Sequence, residues 1–303
     1  MIKYSIIIPH YNAPQLLARC LGSIPVSEEI QVVVVDDCSP NAENLLDRVP
    51  ELKRPYLEFY STGINGGGGK ARNVGLQHAK GKWVLFADCD DYFVDGFVDI
   101  LGQYTNTSDD IVFFNVQCYD EAGNKVRGIK EKLYEIYEQR GDERIFRYCY
   151  TEPWGKLYRR SLITDNNIKF EEVVVANDFL FSVKTGFYAH EVLISKKYLY
   201  NYTVMTSSTS RGKMSKEKKK ARLVEKIKVQ KFLETHGVKT NYNLLSYVPR
   251  FKAFFPIITT IEINTFKERN YPWWPVVKDR LKLMFHKIIN KKFDLSPNTR
   301  YFI

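Results

Sequence analysis

The sequence predicts an α/β fold in which a parallel, doubly wound sheet precedes a smaller helical region at the carboxyl end. Short apolar runs of four or five residues recur through the first half of the 303-residue chain. Stretches with helical periodicity separate these runs. The continuous Ile and Val content of the runs is typical of strands that are covered on both faces. Alternation of this kind predicts helices on both sides of a parallel sheet.

Five runs are the predicted strands, and two stretches between them are the clearest predicted helices. The strands are expected at 5–8, 31–35, 56–60, 83–87 and 111–114. The helices are expected at 13–24 and 70–80. Ligands of such sheets bind beyond the carboxyl ends of the strands, so the residues after each run are the first candidates for a site.

The alternation weakens beyond about residue 130. We interpret 151–162 and 170–188 as helical or irregular pieces that complete the same domain. A helix is predicted from Lys213 to near Gly237, because glycine readily adopts the left-handed conformation that ends helices. The expected organisation is one main domain over residues 1–210 and a helical region over residues 211–303.

The positive charge is concentrated in the second of these regions. Residues 1–210 contain 23 Lys and Arg against 28 Asp and Glu, whereas the remaining residues contain 22 against 7. A basic region beside an acidic body indicates attraction to an anionic surface, either membrane phosphates or nucleic acid. Solvated helix faces are the alternative explanation.

Cysteine and histidine spacing indicates neither a disulfide framework nor a structural zinc site. The five cysteines include no C-x-x-C pair, and the five histidines show no H-x-x-x-H spacing. No uninterrupted apolar run of roughly 18 residues occurs, and the first residues lead directly into a strand pattern. We therefore expect a cytoplasmic protein.

Polar residues follow the first two predicted strands. Tyr11 comes after the first strand, and Asp36 and Asp37 come after the second. A carboxylate at such an edge can accept hydrogen bonds from a ribose or a base, and a tyrosine can stack on the base. An Asx-type turn, in which Asp36 or Asp37 caps the next helix, explains the same residues.

The fourth predicted strand leads into the acidic segment 88–91, which reads Asp-Cys-Asp-Asp. Asp88 and Asp90 are two residues apart, so in an extended chain their carboxylates project to the same side. Hard divalent ions such as Mg²⁺ or Mn²⁺ prefer oxygen ligands, with water and phosphate oxygens completing the shell. The segment predicts a metal-diphosphate site, with an acidic turn as the alternative.

A glycine run at 66–69 precedes Lys70 and Arg72. It is not a Walker A loop, because Ile64 and Ala71 occupy positions where that motif needs Gly and Ser or Thr. A loose dinucleotide pattern is present but does not follow the first strand. A glycine-rich turn that opens a helix can still bring backbone amides close to an anion.

Taken in order, these segments resemble the family 2 glycosyltransferases of the GT-A fold. The similarity covers about residues 3–95 and continues more weakly to about residue 185. It implies a Rossmann-like mixed sheet that binds a nucleotide-diphosphate sugar, on residues 1–100, and an acceptor side on residues 101–210. The matching segments are SIIIPHYN (5–12), VVVVDDCS (32–39), the block 65–75, the block 79–86, and the D-x-D-D at 88–91.

The resemblance assigns roles to individual residues. It implies a nucleotide pocket lined by Pro9, Tyr11, Asp37 and Arg72. Asp88 then faces the ribose or the metal shell, and Asp90 ligates Mn²⁺ or Mg²⁺.

Family members usually carry an acidic pair before an aromatic helix, and the second acid is the general base. Asp178 occupies that position here, whereas Asn177 replaces the first acid. Glu171 and Glu172 remain alternative bases. The segment 154–158 and Arg211 resemble features of the acceptor side and the diphosphate site, with core aromatics and surface cations as the alternative.

The resemblance implies an inverting, non-processive enzyme of surface polysaccharide synthesis. The expected donor is a UDP-sugar, and the expected acceptor is a hydroxyl of a saccharide or lipid-linked glycan. The Q-x-x-R-W signature of processive synthases is absent. A sugar-nucleotide nucleotidyltransferase and a basic nucleic-acid-binding protein are the alternatives, and we expect no nucleic acid partner.

The basic region contains a predicted amphipathic helix. Trp273 and Trp274 precede it, as interfacial helices often show. We expect either peripheral attachment to the inner face of the membrane or packing on the protein's own body. The apolar face consists of Val277, Leu281, Met284 and Ile288, flanked by Lys278, Lys282 and Lys287.

Overall fold

The computed structural model describes residues 1–40, 42–128, 130–205, 215–238 and 260–278. The chain divides into two compact units, residues 1–212 and 213–303. The boundary between the units lies within 206–214, outside the described residues. The boundary that composition predicts near residue 210 lies in the same segment, as does Arg211.

The described part of the first unit is built around one mixed sheet. Its strands are β1 (Tyr4–His10), β2 (Ile30–Asp36), β3 (Leu57–Ser61), β4 (Trp83–Phe86), β5 (Tyr92–Phe93), β6 (Ile111–Asp120), β7 (Lys125–Val126), β8 (Lys156–Arg159) and β9 (Val192–Val204). Their order in the sheet is β3-β2-β1-β4-β8-β6-β9-β5, with β7 paired to β6.

Helices lie between many of these strands, and two more belong to the described part of the second unit. Short 3₁₀ turns at Ala42–Asn44 and Pro50–Lys53 flank the second helix. The helices are α1 (Pro14–Gly22), α2 (Leu45–Arg48), α3 (Gly67–His78), α4 (Phe97–Gly102), α5 (Glu131–Arg140), α6 (Arg144–Cys149), α7 (Arg160–Asp165), α8 (Phe179–Tyr188), α9 (Lys216–Thr235) and α10 (Thr260–Glu268).

The parallel part of the sheet confirms the expectation from the apolar runs. β1 pairs in parallel with β2 and β4, and β2 pairs in parallel with β3. All seven residues of β2 are buried, as expected for a strand covered on both faces. The carboxyl ends of these strands therefore meet at one edge of the sheet, where the candidate residues lie.

The second half of the sheet corrects the interpretation of 151–162 as helical or irregular. β8 lies in that segment and pairs antiparallel with both β4 and β6, and β9 pairs with β6 in parallel. The pattern hides β8 because Lys156 is buried within it, although lysine is almost never fully buried. β9 is hidden for a related reason, since the exposed Lys196 and Lys197 interrupt its apolar pattern.

The second unit contains the predicted helix, which begins at Lys216 and ends at Thr235. Gly237 follows in the left-handed conformation, with φ of 69°, which confirms the expected stop signal. A small apolar cluster joins α9 to α10 and residues 271–276. The members of this cluster are Leu223, Ile227, Phe266, Tyr271 and Val276.

The predicted amphipathic helix falls mostly outside the described residues. Val277 is half-buried against the small cluster, whereas Leu281, Met284 and Ile288 are not described. Lys282 and Lys287 are likewise outside the described part. Within the described ranges, no helix has both the length and the apolar character needed to cross a bilayer.

Candidate functional site

The acidic segment after β4 forms a tight turn. The backbone N–H of Asp91 donates to the carbonyl of Asp88 at 3.1 Å. The segment is therefore a turn and not the extended stretch that the sequence predicts. The turn instead gathers three carboxylates, because one oxygen each from Asp88, Asp90 and Asp91 lies within 4.8 Å of the others.

Distant residues hold this acidic turn in place. The N–H of Asp88 donates to the hydroxyl of Tyr200 at 2.8 Å, and the N–H of Thr203 donates to the buried carboxylate of Asp91 at 2.7 Å. Arg19 donates to the carbonyl of Asp90 and, at 2.9 Å, to the hydroxyl of Thr203. The turn is thus fixed by β9 and α1, and Asp91 serves mainly as an anchor.

The electrostatics of the acidic turn suit a divalent cation. Burial, reinforced by the charge of Asp88, raises the pKa of Asp90 to about 6, although Arg19 and Arg72 oppose the rise. Burial and the neighbouring carboxylates raise the pKa of Asp91 well above its ordinary value. Crowded carboxylate oxygens are the ligand type that Mg²⁺ and Mn²⁺ prefer, so the residues present fit such an ion.

A hydrogen-bonded brace joins the ends of β1 and β2. The Nδ1 of buried His10 lies 2.8 Å from Asp36 Oδ1, and the N–H of Ala13 donates to His10 Nε2. Because Nε2 accepts this bond, the ring carries its hydrogen on Nδ1, and this N–H donates a hydrogen bond to Asp36. Asp36 accepts two further bonds from the N–H and hydroxyl of Ser39, which is the Asx-type turn that the sequence allowed.

Asp37 organises the glycine turn. Its carboxylate accepts hydrogen bonds from the N–H of Gly66 at 2.9 Å, the N–H of Gly67 at 2.6 Å, and the hydroxyl of Thr62 at 2.9 Å. The first two amides of the glycine run thus bind a carboxylate of the protein's own chain. The approach of this glycine turn to a ligand anion stays a prediction. The predicted contact of Asp37 with a base stays a prediction.

Arg72 connects the acidic turn to a second loop. Its Nη2 donates to Asp88 Oδ1 at 2.5 Å, and its Nη1 donates to Asn177 Oδ1 at 3.0 Å. Its guanidinium lies 5.4 Å from the ring centroid of Phe170. This buried side chain on α3 therefore bridges two segments that are almost 90 residues apart in the sequence.

The loop 171–178, which we call the base loop, is packed against α3. A Cβ at Gly69 would lie 2.1 Å from the carbonyl oxygen of Glu171, so only glycine fits there. Asn73 bonds the N–H and the carbonyl of Phe170 at 2.9 and 3.0 Å. Ala176 adopts a left-handed conformation with φ of 57°, which is strained for a residue with a Cβ.

Asp178 ends the base loop and precedes α8. Burial of its carboxyl raises the pKa of Asp178 to about 6; Arg72 opposes the rise, whereas Glu152 and Asp88 add to it. Part of the residue remains accessible to solvent. A carboxylate with this pKa, on a residue that is partly exposed, suits a general base near neutral pH.

The alternative bases occupy different surroundings. Glu172 is exposed and accepts a hydrogen bond from Asn73 at 3.2 Å, and Glu171 packs its backbone against α3.

Pro9 is half-buried at the end of β1, and the neighbouring Tyr11 is 48% exposed. The sequence predicts that Arg72, Asp88 and Asp178 belong to one site. It does not reveal that His10 holds Asp36, or that Arg19 and Tyr200 hold the acidic turn.

The mixed sheet, the acidic turn and the base loop define the GT-A class of nucleotide-sugar transferase folds. The chain belongs to glycosyl transferase family 2, because the sequence model of that family matches residues 5–165, just over half of the chain. The fold class and the family expected from the sequence are thus confirmed.

Curated relatives include two bacterial transferases. The poly(ribitol-phosphate) beta-N-acetylglucosaminyltransferase TarS of Staphylococcus aureus is 32% identical over 213 residues, covering 67% of this chain and 35% of the relative. The poly(ribitol-phosphate) beta-glucosyltransferase of Bacillus spizizenii is 28% identical, covering 67% of this chain and 32% of the relative. The match spans about a third of the length of these relatives.

Solved structures of S. aureus TarS 1-349 share the fold. The complex with UDP superposes with a TM-score of 0.56 and 27% identity, covering 82% of this chain and 76% of that chain. The complex with UDP-GlcNAc gives a TM-score of 0.64 with 23% identity, covering 100% and 94% of the two chains.

Proposed function

We propose that this protein transfers a sugar from a UDP-sugar to a hydroxyl of a saccharide, polyol or lipid-linked glycan in surface polysaccharide synthesis, with inversion at the anomeric carbon. The observation that carries the proposal is the bridge from Arg72 to both Asp88 and Asn177. The bridge joins the acidic turn to Asn177, the residue before Asp178, which supports a metal site and a base in one cleft. The names of the relatives support UDP-sugar donors and polyol-phosphate acceptors.

The donor is expected to lie over the carboxyl ends of β1, β2 and β4. Tyr11, which is 48% exposed, offers a ring face on which a base can stack. Asp37 has three hydrogen bonds from its own chain and can accept one more from a base N–H. Pro9 completes this wall, and Asp88 and Asp90 face the ribose and the diphosphate.

Metal dependence is part of the proposal. Asp90 and Asp88 would ligate Mn²⁺ or Mg²⁺, with Asp91 supporting the turn through Thr203. When bound, the ion supplies positive charge that offsets the charge on the departing diphosphate. Arg72 holds Asp88 in a fixed orientation toward that site, so the turn keeps its shape.

Asp178 would act as the general base. It takes the proton of the acceptor hydroxyl while that oxygen bonds to the anomeric carbon from the face opposite the nucleotide. The bond from the anomeric carbon to the phosphate oxygen breaks at the same time, and UDP leaves with that electron pair. A positioned base contributes about 10²- to 10⁴-fold to such a step.

The basic region would attach the protein reversibly to the anionic inner surface of a membrane. Lys216 and Lys219 are exposed on α9, and Trp274 is 59% exposed. Each lysine near an anionic surface contributes about 1 kcal/mol. Replacing Lys216 and Lys219 by Glu should weaken binding to anionic vesicles, whereas unchanged binding contradicts the attachment.

The test of the proposed function is a donor screen. The protein is incubated with Mn²⁺ and each of several nucleotide sugars, including UDP-GlcNAc and UDP-glucose, and UDP release and thermal stabilisation are measured. One UDP-sugar should be hydrolysed or should stabilise the protein, and EDTA should abolish both effects. If no nucleotide sugar has either effect, the proposal is contradicted.

A further inference from the structure

A charged pair joins the loop between α6 and β8 to the start of α5. Glu152 Oε2 pairs with the ammonium of Lys130, which lies 4.1 Å from the ring centroid of Tyr150. The Lys130 side chain is 5% exposed, whereas that of Glu152 is 32% exposed. The cation is therefore covered by aromatic rings, and the carboxylate is the accessible member of the pair.

The same loop is anchored to both parts of the candidate site. The carbonyl of Thr151 accepts a hydrogen bond from the Ser182 hydroxyl at 2.6 Å, in the first turns of α8. Trp154 stacks on Tyr200 with ring centroids 5.5 Å apart, and the Tyr200 hydroxyl accepts the N–H of Asp88. Glu152 thus lies between a segment tied to the Asp178 helix and one tied to the acidic turn.

The charge of Glu152 affects the pKa of Asp178. Burial opposes ionisation of Glu152, but the charge and hydrogen bond of Lys130 outweigh it and lower the pKa of Glu152 below its ordinary value. The ionised Glu152 in turn adds to the raised pKa of Asp178. Glu152 is thus ionised at neutral pH. The loop that carries it is joined to the start of α8, because Ser182 bonds both the carbonyl of Thr151 and, through its N–H, the carbonyl of Asp178.

The chemistry of the pair favours a neutral hydroxyl group as its ligand. An ionised carboxylate is an acceptor only, with about four lone-pair sites. Lys130 engages Oε2, and the remaining capacity can accept a donor from a bound molecule. Lys130 and Glu152 offset each other's charge, so the pair itself attracts a free ion less than an unpaired carboxylate would. Hydrogen bonds to a charged group are stronger than neutral ones and discriminate well between ligands.

We propose that Glu152, held by Lys130, is an acceptor subsite that accepts a hydrogen bond from a second hydroxyl of the saccharide or polyol acceptor. This bond orients the neighbouring acceptor hydroxyl toward Asp178. The subsite rests on the proposed transferase function and adds a residue that binds the acceptor and not the donor.

The test uses the full-length Glu152→Gln variant with Mn²⁺, the active UDP-sugar, and poly(ribitol phosphate) or a panel of oligosaccharides as acceptor probes. The KM for the acceptor should rise about 10- to 100-fold. The KM for the donor should stay unchanged, because Glu152 binds the acceptor and not the donor. The double variant Lys130→Gln/Glu152→Gln removes the buried unpaired ammonium and should show the same acceptor defect.

Glu143→Gln is the matched control. Glu143 pairs with Arg147 at 2.7 Å, and Arg147 contacts the carbonyls of Gly186 and Ala189 at the opposite end of α8. The subsite is wrong if the acceptor KM is unchanged in both Glu152 variants, or rises equally in the control. It is likewise wrong if the wild-type protein hydrolyses the donor but glycosylates none of the probes. A wild-type protein that neither binds nor hydrolyses any nucleotide sugar contradicts the proposed function itself.

Discussion

The acidic turn and the base loop are built in different ways. The acidic turn follows β4 directly, and a single hydrogen bond from Asp91 to Asp88 closes it. The base loop lies far from the parallel strands in sequence and takes its place by packing on α3 through Gly69 and Asn73. The first is a local feature with distant supports, whereas the second exists only because of a long-range contact.

The difference suggests that the acidic turn binds the metal and the donor, whereas the base loop serves proton transfer. Arg72 contacts both segments, so it ties their relative position to α3. Substitutions in the base loop should therefore remove proton transfer and leave donor binding unchanged. Damage to the acidic turn should instead remove metal and donor binding.

Asp178→Asn should have the largest effect. Loss of the base is expected to lower the rate of transfer by about 10²- to 10⁴-fold, because an amide cannot take the acceptor proton. The turnover number is measured with saturating donor and acceptor, and donor affinity serves as the control. Near-normal transfer by this variant would remove Asp178 from the mechanism and return Glu171 and Glu172 as candidates.

Gly69→Ala should have the next largest effect. The new Cβ would lie 2.1 Å from the carbonyl oxygen of Glu171, so the base loop must move away from α3. A displacement of about 1 Å can cost roughly 10²-fold in rate. Gly102→Ala in α4 is the matched control, since a Cβ there meets no atom within 4 Å. Equal turnover in both variants would show that α3 does not position the base.

The base loop is also the part that sequence patterns reveal least. The position of the acidic turn follows from the end of an apolar run, and the parallel strands follow from Ile and Val content. The shape of that turn cannot be predicted from the sequence, because Tyr200 and Thr203, which hold it, come from a strand more than 100 residues later. β8 was missed for a similar reason, since only tertiary packing explains the buried Lys156. The prediction of Asp178 as the base rests on the family resemblance alone.

Lowering the pH should reduce the rate of transfer by the wild-type protein, and by less than the two substitutions above. With the pKa of Asp178 raised to about 6, its carboxylate is present above that pH and is lost as the pH falls through it. Transfer should therefore drop about tenfold for each pH unit below 6, and stay level above it. Donor binding with Mn²⁺ is measured across the same range to separate this effect from titration at the acidic turn. A flat rate down to pH 4.5, with donor bound, contradicts a base with this pKa.

Ala176→Gly should have the smallest effect. Glycine relieves the left-handed strain at φ of 57°, but its greater freedom in the unfolded chain offsets part of the gain. We expect stabilisation of at most about 1 kcal/mol in chemical denaturation. Ala18→Gly in α1 is the comparison, since glycine inside a helix costs about 1 kcal/mol. A loss of stability in Ala176→Gly would show that this residue is not strained.

The most direct test compares the two segments in one binding experiment. Binding of the active UDP-sugar is measured calorimetrically, with and without Mn²⁺, for the wild type, Asp90→Asn and Asp178→Asn. Asp178→Asn should bind the donor with wild-type, Mn²⁺-dependent affinity, whereas Asp90→Asn should lose the Mn²⁺ dependence. Retained Mn²⁺-dependent binding in Asp90→Asn, or its loss in Asp178→Asn, would contradict the separation of donor binding from proton transfer.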